Sequence, residues 1–309
     1  MRLRLGTRGS RLALAQSEVV AAALAAHGAE VELVTIRTSG DHLAQAALAD
    51  FGGKALFVKE IEDALLDGRV DAGVHSLKDM PAVLPAGLRL AAFPPREDPA
   101  DVLVTRDGGT LAELPAAAVV GTSSLRRSVL LRAIRPDLRV EPIRGNVDTR
   151  LRKLQDGLYD GLVMALAGLR RLGLALDRAR PLPVDEFLPA VGQGILAVEA
   201  RETDRHLLEL LRRVDHTETR AQAEAERAFL QRLGASCHTP VAGLARLDGD
   251  GLTISGLVAS LDGRTRLRAS VSGPASSAER LGHRLADELL ARGARAILEA
   301  SEASRGGQA

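Results

Sequence analysis

Arginines cluster at three points where the sequence predicts a strand passing directly into a helix, namely 7–10, 121–127 and 144–150. A helix N-terminus has free N–H groups and partial positive charge, so an arginine in the first turn is unfavourable by roughly 0.3–1 kcal/mol unless an anion is bound. The flat guanidinium fork suits carboxylates. Such junctions lie on the ligand-binding edge of open α/β sheets. We therefore expect the three junctions to converge on one cleft that binds carboxylates.

The alternative for any one junction is ordinary helix capping by Ser, Thr or Asn beside incidental arginines. Arginine is abundant throughout the chain, since only four of the 41 basic residues are lysines. A single arginine is therefore weak evidence, and the convergence of several carries the hypothesis. The candidates at the junctions are Arg8, Ser10, Thr122, Ser123, Ser124, Arg126, Arg127, Arg144, Gly145 and Arg150.

The heptapeptide 75–81, His-Ser-Leu-Lys-Asp-Met-Pro, is a second candidate site and follows a short buried strand predicted over 70–74. Lys78 and Asp79 then lie at the carboxyl end of that strand. We expect Asp79 to be ionised at neutral pH, because arginines in the cleft favour the carboxylate, and to stabilise a positive charge that develops on a substrate. The alternative is an ordinary salt bridge in a surface turn, but lysine is scarce here and Pro81 fixes the turn.

Cys237 is the only cysteine and lies in 233–240, Leu-Gly-Ala-Ser-Cys-His-Thr-Pro, a loop predicted between a helix and a strand. A lone cysteine is most often a small buried apolar residue. The adjacent His238 does not make a catalytic dyad with it, because sequence neighbours rarely face each other. The loop position nevertheless favours a reactive thiol.

Several other kinds of site are not predicted. The chain has no Gly-Lys-Ser/Thr phosphate loop, and Gly192-Gln193-Gly194 matches a dinucleotide fingerprint only by letter, since an apolar strand follows where a helix is required. The seven histidines show no metal-ligand spacing, so no metal site is expected. A net charge of +1, no Trp, one Tyr and five Phe argue against nucleic acid.

The chain enters a strand pattern without a signal peptide and has no apolar run long enough to cross a bilayer, so no membrane association is expected. One cysteine makes no internal disulfide. Both observations favour a cytoplasmic location.

The order of the predicted elements indicates an α/β fold followed by a small α+β domain. Strands at 3–5, 31–36 and 70–74 alternate with helices at 12–26 and 61–66. Beyond the crossing at 93–99, strands near 102–104, 119–120, 140–143 and 162–166 alternate with helices from Leu125 and Thr149. After a proline-rich stretch at 181–189, an apolar strand at 195–198 returns to the first sheet. Two crossings predict a hinged cleft between two α/β domains.

The C-terminal part combines a helix at 219–233, three strands at 241–247, 252–259 and 265–271 joined by Asp-Gly turns, and a helix at 277–291. Residues 304–309 are expected to be a frayed tail. We therefore predict two α/β domains, 1–95 with 195–213 and 98–190, and an α+β domain with a three-stranded antiparallel sheet, 217–309.

Taken together, these residues resemble the porphobilinogen deaminases, also called hydroxymethylbilane synthases. The matching stretches run in order along the whole chain: 7–10, 52–60, 75–81, 121–127, 144–150, 167–173, 188–194 and the loop around Cys237. Chance agreement at eight ordered stretches is implausible.

The resemblance implies a transferase whose first two domains look like a hinged periplasmic binding protein. The sequence does not show the oligomeric state, and we expect a monomer. It implies a dipyrromethane cofactor joined to Cys237 by a thioether, onto which porphobilinogen units are added head to tail with loss of ammonia to give hydroxymethylbilane. Asp79 would be the catalytic carboxylate. The implied cofactor-binding residues are Lys78, Asp79, Thr122, Ser123, Ser124, Arg126, Arg127, Arg144, Gly145 and Arg150. The implied substrate-binding residues are Arg8, Ser10, Arg144, Arg150, Arg171 and Gln193, and the implied flap residues are Gly52, Gly53, Lys54 and Phe57.

The chain departs from the family pattern at Ala235 and Ser236, where two glycines usually precede the cysteine, and at Ala55 in the flap. These departures concern backbone flexibility more than chemistry. The alternative function is a non-catalytic, periplasmic-type module that binds a dicarboxylate. Such a module explains the arginines and the hinge, but it does not explain Cys237, Asp79 or the third domain.

Overall fold

The computed structural model describes residues 1–36, 58–235 and 239–306. Its first sheet has the strand order β2-β1-β3-β10-β4. These strands are β1 (Arg2–Arg8), β2 (Glu30–Ile36), β3 (Ala72–Ser76), β4 (Leu88–Ala92) and β10 (Leu196–Arg201), and the helices beside them are α1 (Arg11–Ala25), α2 (Lys59–Leu66) and α6 (Arg205–Leu211). Strand β10 lies antiparallel between β3 and β4, which confirms the predicted return of the chain to the first sheet.

The second sheet repeats this arrangement with the strand order β7-β6-β8-β5-β9. Its strands are β5 (Asp101–Thr105), β6 (Val119–Gly121), β7 (Arg139–Glu141), β8 (Gly161–Ala165) and β9 (Ala179–Pro181), and its helices are α3 (Leu125–Ile134), α4 (Val147–Gln155) and α5 (Leu166–Arg171). Strand β5 is antiparallel to β8 and occupies the place that β10 has in the first sheet. Because β6, β7 and β8 run parallel, the turns that follow them lie at one edge of the sheet.

The third sheet is antiparallel, as predicted, with the order β11-β12-β13. Its strands are β11 (Val241–Asp248), β12 (Gly251–Ala259) and β13 (Arg266–Pro274), and its helices are α7 (Thr217–Leu233), α8 (Ala278–Ala291) and α9 (Ala294–Gly306). Phe229 of α7 is fully buried against this sheet. The bare backbone of Gly256 makes that possible, because a Cβ there would lie 2.6 Å from the phenyl ring.

The expectation of a frayed tail over residues 304–309 is wrong for residues 304–306, because α9 continues to Gly306. The helix is held by apolar contact, since Ala294 and Leu298 are buried in the core of the third domain. Residues 307–309 lie outside the described part of the chain. The described helices include none that is both long and apolar enough to cross a bilayer.

Candidate active site

The junction after β1 places Arg8 and Ser10 at the carboxyl end of the first sheet. The Ser10 hydroxyl accepts a hydrogen bond from the Ala13 N–H at 3.2 Å and so caps α1. Thr7, which is fully buried, donates from its hydroxyl to the Ala13 carbonyl at 3.2 Å. The strand and the helix are therefore fixed to each other, and Arg8 is the last residue of the strand before the connection to the helix.

The two junctions of the second sheet are tied directly together. The Ser123 hydroxyl donates to the Ile143 carbonyl and accepts from the Ile143 N–H at 3.2 Å. Ser124 caps α3 through the Arg127 N–H, and the Thr122 hydroxyl accepts from the Ser124 N–H at 3.2 Å. Ser124, like Ser10, therefore caps a helix, as the alternative interpretation held, while the arginines of these junctions are placed by separate contacts.

The junctions of the two α/β domains face each other. Arg11, the first residue of α1, forms an ion pair with Asp148 in the first turn of α4, with 2.9 Å between Nη1 and Oδ1. A Cβ on Gly168 of α5 would lie 3.6 Å from the Leu12 side chain of α1. The starts of three helices, one from the first domain and two from the second, thus lie around one cleft.

Arg126 and Arg127 are buried and share one internal carboxylate, which sequence analysis missed. Arg126 donates to Asp101 Oδ2 at 2.7 Å, and Arg127 donates to Oδ1 through Nε at 2.9 Å and Nη2 at 2.7 Å. The two guanidinium groups hold the pKa of Asp101 far below its usual range, against the effect of burial, which raises it. Two cations with one anion leave a net positive charge in the cleft wall.

Gln193 belongs to this network rather than standing apart as a side chain free for substrate. It is buried, donates from Nε2 to Asp101 Oδ1 at 2.9 Å and to the Pro99 carbonyl at 2.8 Å, and accepts from Arg127 at 3.4 Å. The neighbouring Gly194 has a φ of +87°, and a Cβ there would lie 2.2 Å from the Glu97 carbonyl oxygen. The loop 192–194 therefore packs closely on the crossing segment and orients the arginine pair through Gln193.

Lys78 and Asp79 lie in a single 3-10 turn, Leu77–Asp79, at the carboxyl end of β3. The Leu77 N–H donates to the Ile195 carbonyl at 3.0 Å, and the Met80 N–H donates to the Leu77 carbonyl at 3.1 Å. Asp79 is exposed, whereas Lys78 is half-buried. Burial, with the nearby Arg127 and Arg126, lowers the pKa of Lys78 to about 8, although Asp79 and Asp101 oppose the shift. The turn therefore lies beside the arginine pair of the second domain.

Arg150 and Arg171 are half-buried cations held by backbone carbonyl groups. Arg150 donates from Nε to the Gly145 carbonyl at 2.7 Å, and Arg171 donates from Nη2 to the Gly194 carbonyl at 2.6 Å. Burial lowers the pKa of Arg150, and the positive charge of Arg127 adds to the effect. Burial also lowers the pKa of Arg171 to about 10, against the effect of Glu97. No carboxylate of the described residues forms an ion pair with Arg150, so an anionic ligand would stabilise it.

Of the remaining expected site residues, the structure describes Arg144 and Gly145 but not the flap residues or Cys237. The Arg144 side chain is exposed, and its carbonyl accepts from Lys153 Nζ at 3.2 Å. Gly145 has a φ of +107°, and a Cβ there would lie 2.7 Å from Thr149, so glycine is required at this turn. The proposed flap residues Gly52, Gly53, Lys54 and Phe57, the neighbouring Ala55, and the segment Ser236, Cys237 and His238 lie outside the described residues.

Sequence analysis also missed a buried ionisable cluster behind the 75–81 motif. His75 Nε2 lies 3.0 Å from Glu199 Oε2, and both side chains are almost completely buried. Glu62 of α2 is 5% exposed, and burial raises its pKa to about 7, with a further contribution from Glu199. The available signal was a charged residue inside an apolar strand, Leu-Ala-Val-Glu-Ala at 196–200, and Asp101 at the head of the apolar strand β5 is a signal of the same kind.

Comparison with known families matches nearly the whole chain. Residues 3–209 match the family model described as "Porphobilinogen deaminase, dipyromethane cofactor binding domain", and residues 221–291 match "Porphobilinogen deaminase, C-terminal domain". The chain belongs to the porphobilinogen deaminase family. The family is one of transferases with a dipyrromethane cofactor, and the first match contains every cation described above.

Relatives in this family are similar over their full length. The chain is 52% identical to a porphobilinogen deaminase from Desulforudis audaxviator over 95% of this chain and 96% of the relative. It is 50% identical to one from Syntrophus aciditrophicus, over 96% and 98% of the two chains. The resemblance inferred from eight short stretches is therefore confirmed.

Two solved structures are similar in outline to part of the chain. A periplasmic substrate-binding protein of an ABC transporter from Coxiella burnetii has 17% identity and a TM-score of 0.41 over 69% of this chain and 91% of that chain. The methionine-binding protein MetQ has 15% identity and a TM-score of 0.44 over 69% and 88% of the two chains. The strand orders given above establish the predicted fold class, two α/β sheets followed by an antiparallel one.

Proposed function

We propose that this chain is a porphobilinogen deaminase, which condenses porphobilinogen units head to tail with loss of ammonia on a covalently held dipyrromethane primer and releases hydroxymethylbilane. The observation that carries the proposal is that the half-buried Lys78, in the turn that bears Asp79, lies beside the buried Arg126 and Arg127, in a member of this family. The dicarboxylate-binding module is not favoured, since the named relatives are deaminases throughout their length.

The cations fit a ligand that carries several carboxylates. Each pyrrole unit of this chemistry has one acetate and one propionate group, so a primer of two units has four. Half-buried cations such as Lys78 and Arg150 lose solvation, and a bound carboxylate restores their stability through a charge-assisted hydrogen bond of roughly 1.5–3 kcal/mol. The residues proposed to hold the cofactor are Lys78, Asp79, Thr122, Ser123, Ser124, Arg126, Arg127, Arg144, Gly145 and Arg150. When bound through a thioether to Cys237, the cofactor supplies the free pyrrole carbon that the first substrate unit joins.

Asp79 is proposed as the catalytic carboxylate. The substrate's aminomethyl group is already protonated near neutral pH and leaves as ammonia, so the substrate ring becomes positively charged. The exposed carboxylate of Asp79, fixed on a short turn at the cleft, stabilises that charge. Preorganised charge of this kind commonly contributes a factor of about 10²–10³ in rate. The same carboxylate can then accept the proton that is released as the new ring joins.

The binding of the incoming porphobilinogen is proposed to depend on a second set of residues. This set is Arg8, Ser10, Arg144, Arg150, Arg171 and Gln193, with Gly52, Gly53, Lys54 and Phe57 as a flap. Gln193 acts indirectly, by orienting the arginine pair, since its own amide bonds Asp101 and Pro99. The predicted domain boundaries, 1–95 with 195–213, 98–190 and 217–309, stay a prediction, as do the monomeric state, the cytoplasmic location and the absence of nucleic-acid and membrane partners.

Intact mass and turnover of the purified full-length protein test the proposed function. We expect the mass to exceed the sequence mass by two pyrrole units and the protein to consume porphobilinogen. Cys237→Ala should fold, since it removes one small side chain, yet carry no extra mass and show no turnover. A bare mass with no turnover, even after incubation with porphobilinogen, would favour the binding module. Extra mass in Cys237→Ala would refute the thioether assignment.

A further inference from the structure

Helix α7 of the third domain contacts the chain immediately after Asp79. Arg227 donates from Nη1 to the Pro81 carbonyl at 3.1 Å and from Nη2 to the Ala82 carbonyl at 3.0 Å. The guanidinium group is rigid and planar, so two bonds to successive carbonyl groups fix the direction of that backbone as well as its position. Arg227 therefore holds the backbone on the C-terminal side of the turn that carries Lys78 and Asp79.

The N-terminal side of the same turn is held within the first domain, because the Leu77 N–H donates to the Ile195 carbonyl at 3.0 Å. A Cβ on Gly192 would lie 2.9 Å from the Lys78 nitrogen, so the loop 192–194 packs directly on the turn. Asp79 lies exposed between these two attachments. The position of its carboxylate consequently depends on a short backbone segment with two attachments. One is to Ile195 of the first domain, and the other is to Arg227 of the third domain.

The helix that bears Arg227 also leads to the cysteine loop. It ends at Leu233 and is capped by Gly234, whose φ of +66° is left-handed, and the next residue, Ala235, is buried in the core of the third domain. Gly234 is seven positions after Arg227, or about 10 Å along the axis at 1.5 Å per residue. Cys237 follows three positions later in the sequence. The helix that holds the catalytic turn is thus the described element that immediately precedes Cys237 in the sequence.

The rotation of α7 about its axis is fixed by Glu226, the residue before Arg227. Glu226 is fully buried and accepts from Arg96 at 2.6 Å, from the Gly192 N–H at 2.6 Å and from the Ala245 N–H at 2.8 Å. Arg227 itself bonds neutral carbonyl groups. Arg227 is half-buried, and burial lowers its pKa although the charge of Glu199 opposes that shift. Its bonds to two neutral carbonyl groups therefore add little net stability, and what they supply is the position of the backbone.

We propose that Arg227 is a positioning residue for the condensation, which fixes Asp79 relative to helix α7 by attaching the turn 77–82 to that helix. This proposal rests on the proposed function. Arg227 touches neither substrate nor cofactor, and it acts through the backbone of Pro81 and Ala82.

The test compares Arg227→Met with Arg232→Met in the full-length, cofactor-loaded protein. Arg232 lies on the same helix, but its ion pair with Asp287 is exposed on both sides, so it is a matched control. We expect Arg227→Met to keep the adduct mass and a KM within about twofold of the original, while kcat falls about 10- to 100-fold, as a misplaced catalytic group predicts. Arg227→Lys should recover part of kcat, because one ammonium can reach a carbonyl but lacks the fork. Arg232→Met should leave kcat unchanged.

An unchanged kcat in folded Arg227→Met would overturn the proposal. A fall in kcat no larger than the unfolded fraction of the protein, measured by circular dichroism, would also overturn it, since that result marks a purely structural residue. If Arg227→Met does not fold, Arg227→Lys decides: a lower kcat at constant KM supports positioning, and an unchanged kcat overturns it. Failure of the proposed function itself is distinguishable, because the unsubstituted protein would then lack both adduct and turnover.

Discussion

Arg11 and Asp148 are 137 residues apart in the chain, yet their side chains form an ion pair of 2.9 Å. Each lies in the first turn of a helix that begins at one of the arginine-bearing junctions. Their side chains keep 60% and 35% of their exposure, so the pair contributes only about 0–1 kcal/mol to stability. The pair is informative because it shows that junctions of the two α/β domains lie side by side, which the carboxylate-binding hypothesis requires.

If Arg150 binds a carboxylate in this cleft, Arg150→Leu should impair cofactor assembly or chain elongation. Loss of one charge-assisted hydrogen bond corresponds to roughly 1.5–3 kcal/mol, or about ten- to a hundredfold in affinity. Arg150→Lys should restore only part of the loss, since an ammonium cannot replace the fork. Arg144→Leu should behave in the same way. The measurements are intact mass and turnover at varied porphobilinogen concentration.

Arg212→Leu is the control for these substitutions, because Arg212 is exposed at the end of α6 and outside the cleft. Arg292 is a less suitable control, because its Nη1 donates to the Arg268 carbonyl at 2.7 Å. Equal losses in Arg150→Leu and Arg212→Leu, with both proteins folded, would contradict the convergence of functional arginines.

Arg126 and Arg127 require a different experiment, because their partner Asp101 is completely buried. Asp101→Asn keeps the shape but leaves two buried cations without a counter-charge, and removal of one partner of a buried ion pair typically costs about 3–5 kcal/mol. We expect the free energy of unfolding, measured by denaturant titration, to fall by that amount. Asp137→Asn, which breaks a more exposed pair with Arg135, should cost much less, because solvent screens an exposed pair. A similar small cost in Asp101→Asn would show that the arginines do not depend on it.

Asp79→Asn should lower turnover by at least about 10² while the covalent cofactor remains, because the substitution keeps the shape of the side chain and removes its charge. Asp79 is exposed, so the thermal midpoint should change little. Adduct mass, thermal midpoint and kcat together separate loss of chemistry from loss of cofactor. Near-normal turnover would mean that Asp79 is only a surface turn residue.

Local patterns were enough to predict most of the fold and the main site motifs. Alternating apolar residues and capping Ser or Asn mark where β1 passes into α1 and where α3 and α4 begin, and the apolar run at 195–198 indicates the returning strand β10. The strands β4 and β9 and the helices α5 and α6 were not predicted.

The long-range partners of the site residues could not be predicted. Asp101 was not singled out, since it only precedes the strand predicted near 102–104, and nothing in local spacing says that it meets two arginines 25 and 26 residues later. The bond from Arg227 to Pro81 spans 146 residues and depends on how the third domain packs. Such contacts follow from tertiary packing, which leaves no periodic signal in the sequence.

Lys78 should make kcat/KM fall at alkaline pH, as the alkaline limb of the pH–rate profile. Burial, with Arg127 and Arg126, lowers the pKa of Lys78 to about 8, so the free enzyme loses this cation as the pH rises through that value. If the cation holds a substrate or cofactor carboxylate, kcat/KM should fall above about pH 8. Lys78→Arg, whose guanidinium stays charged, should move that limb to higher pH. An identical limb in Lys78→Arg would exclude Lys78 as its source.

Glu62 should make the stability of the protein depend on pH near neutrality. Burial and the neighbouring Glu199 raise the pKa of Glu62 from 4.5 to about 7, although His75 opposes the shift. The folded protein therefore binds this proton more tightly than the unfolded chain does, and the contribution of Glu62 to stability falls as the pH rises from about 4.5 to 7. Glu62→Gln removes the buried charge. The variant should match the original protein at pH 4.5 and exceed it at pH 8 by up to about 3 kcal/mol. Denaturant titrations at both pH values measure this difference, with exposed Glu18→Gln as the control. A Glu62→Gln protein that is no more stable than the original at pH 8 would mean that Glu62 is already well solvated or paired when ionised.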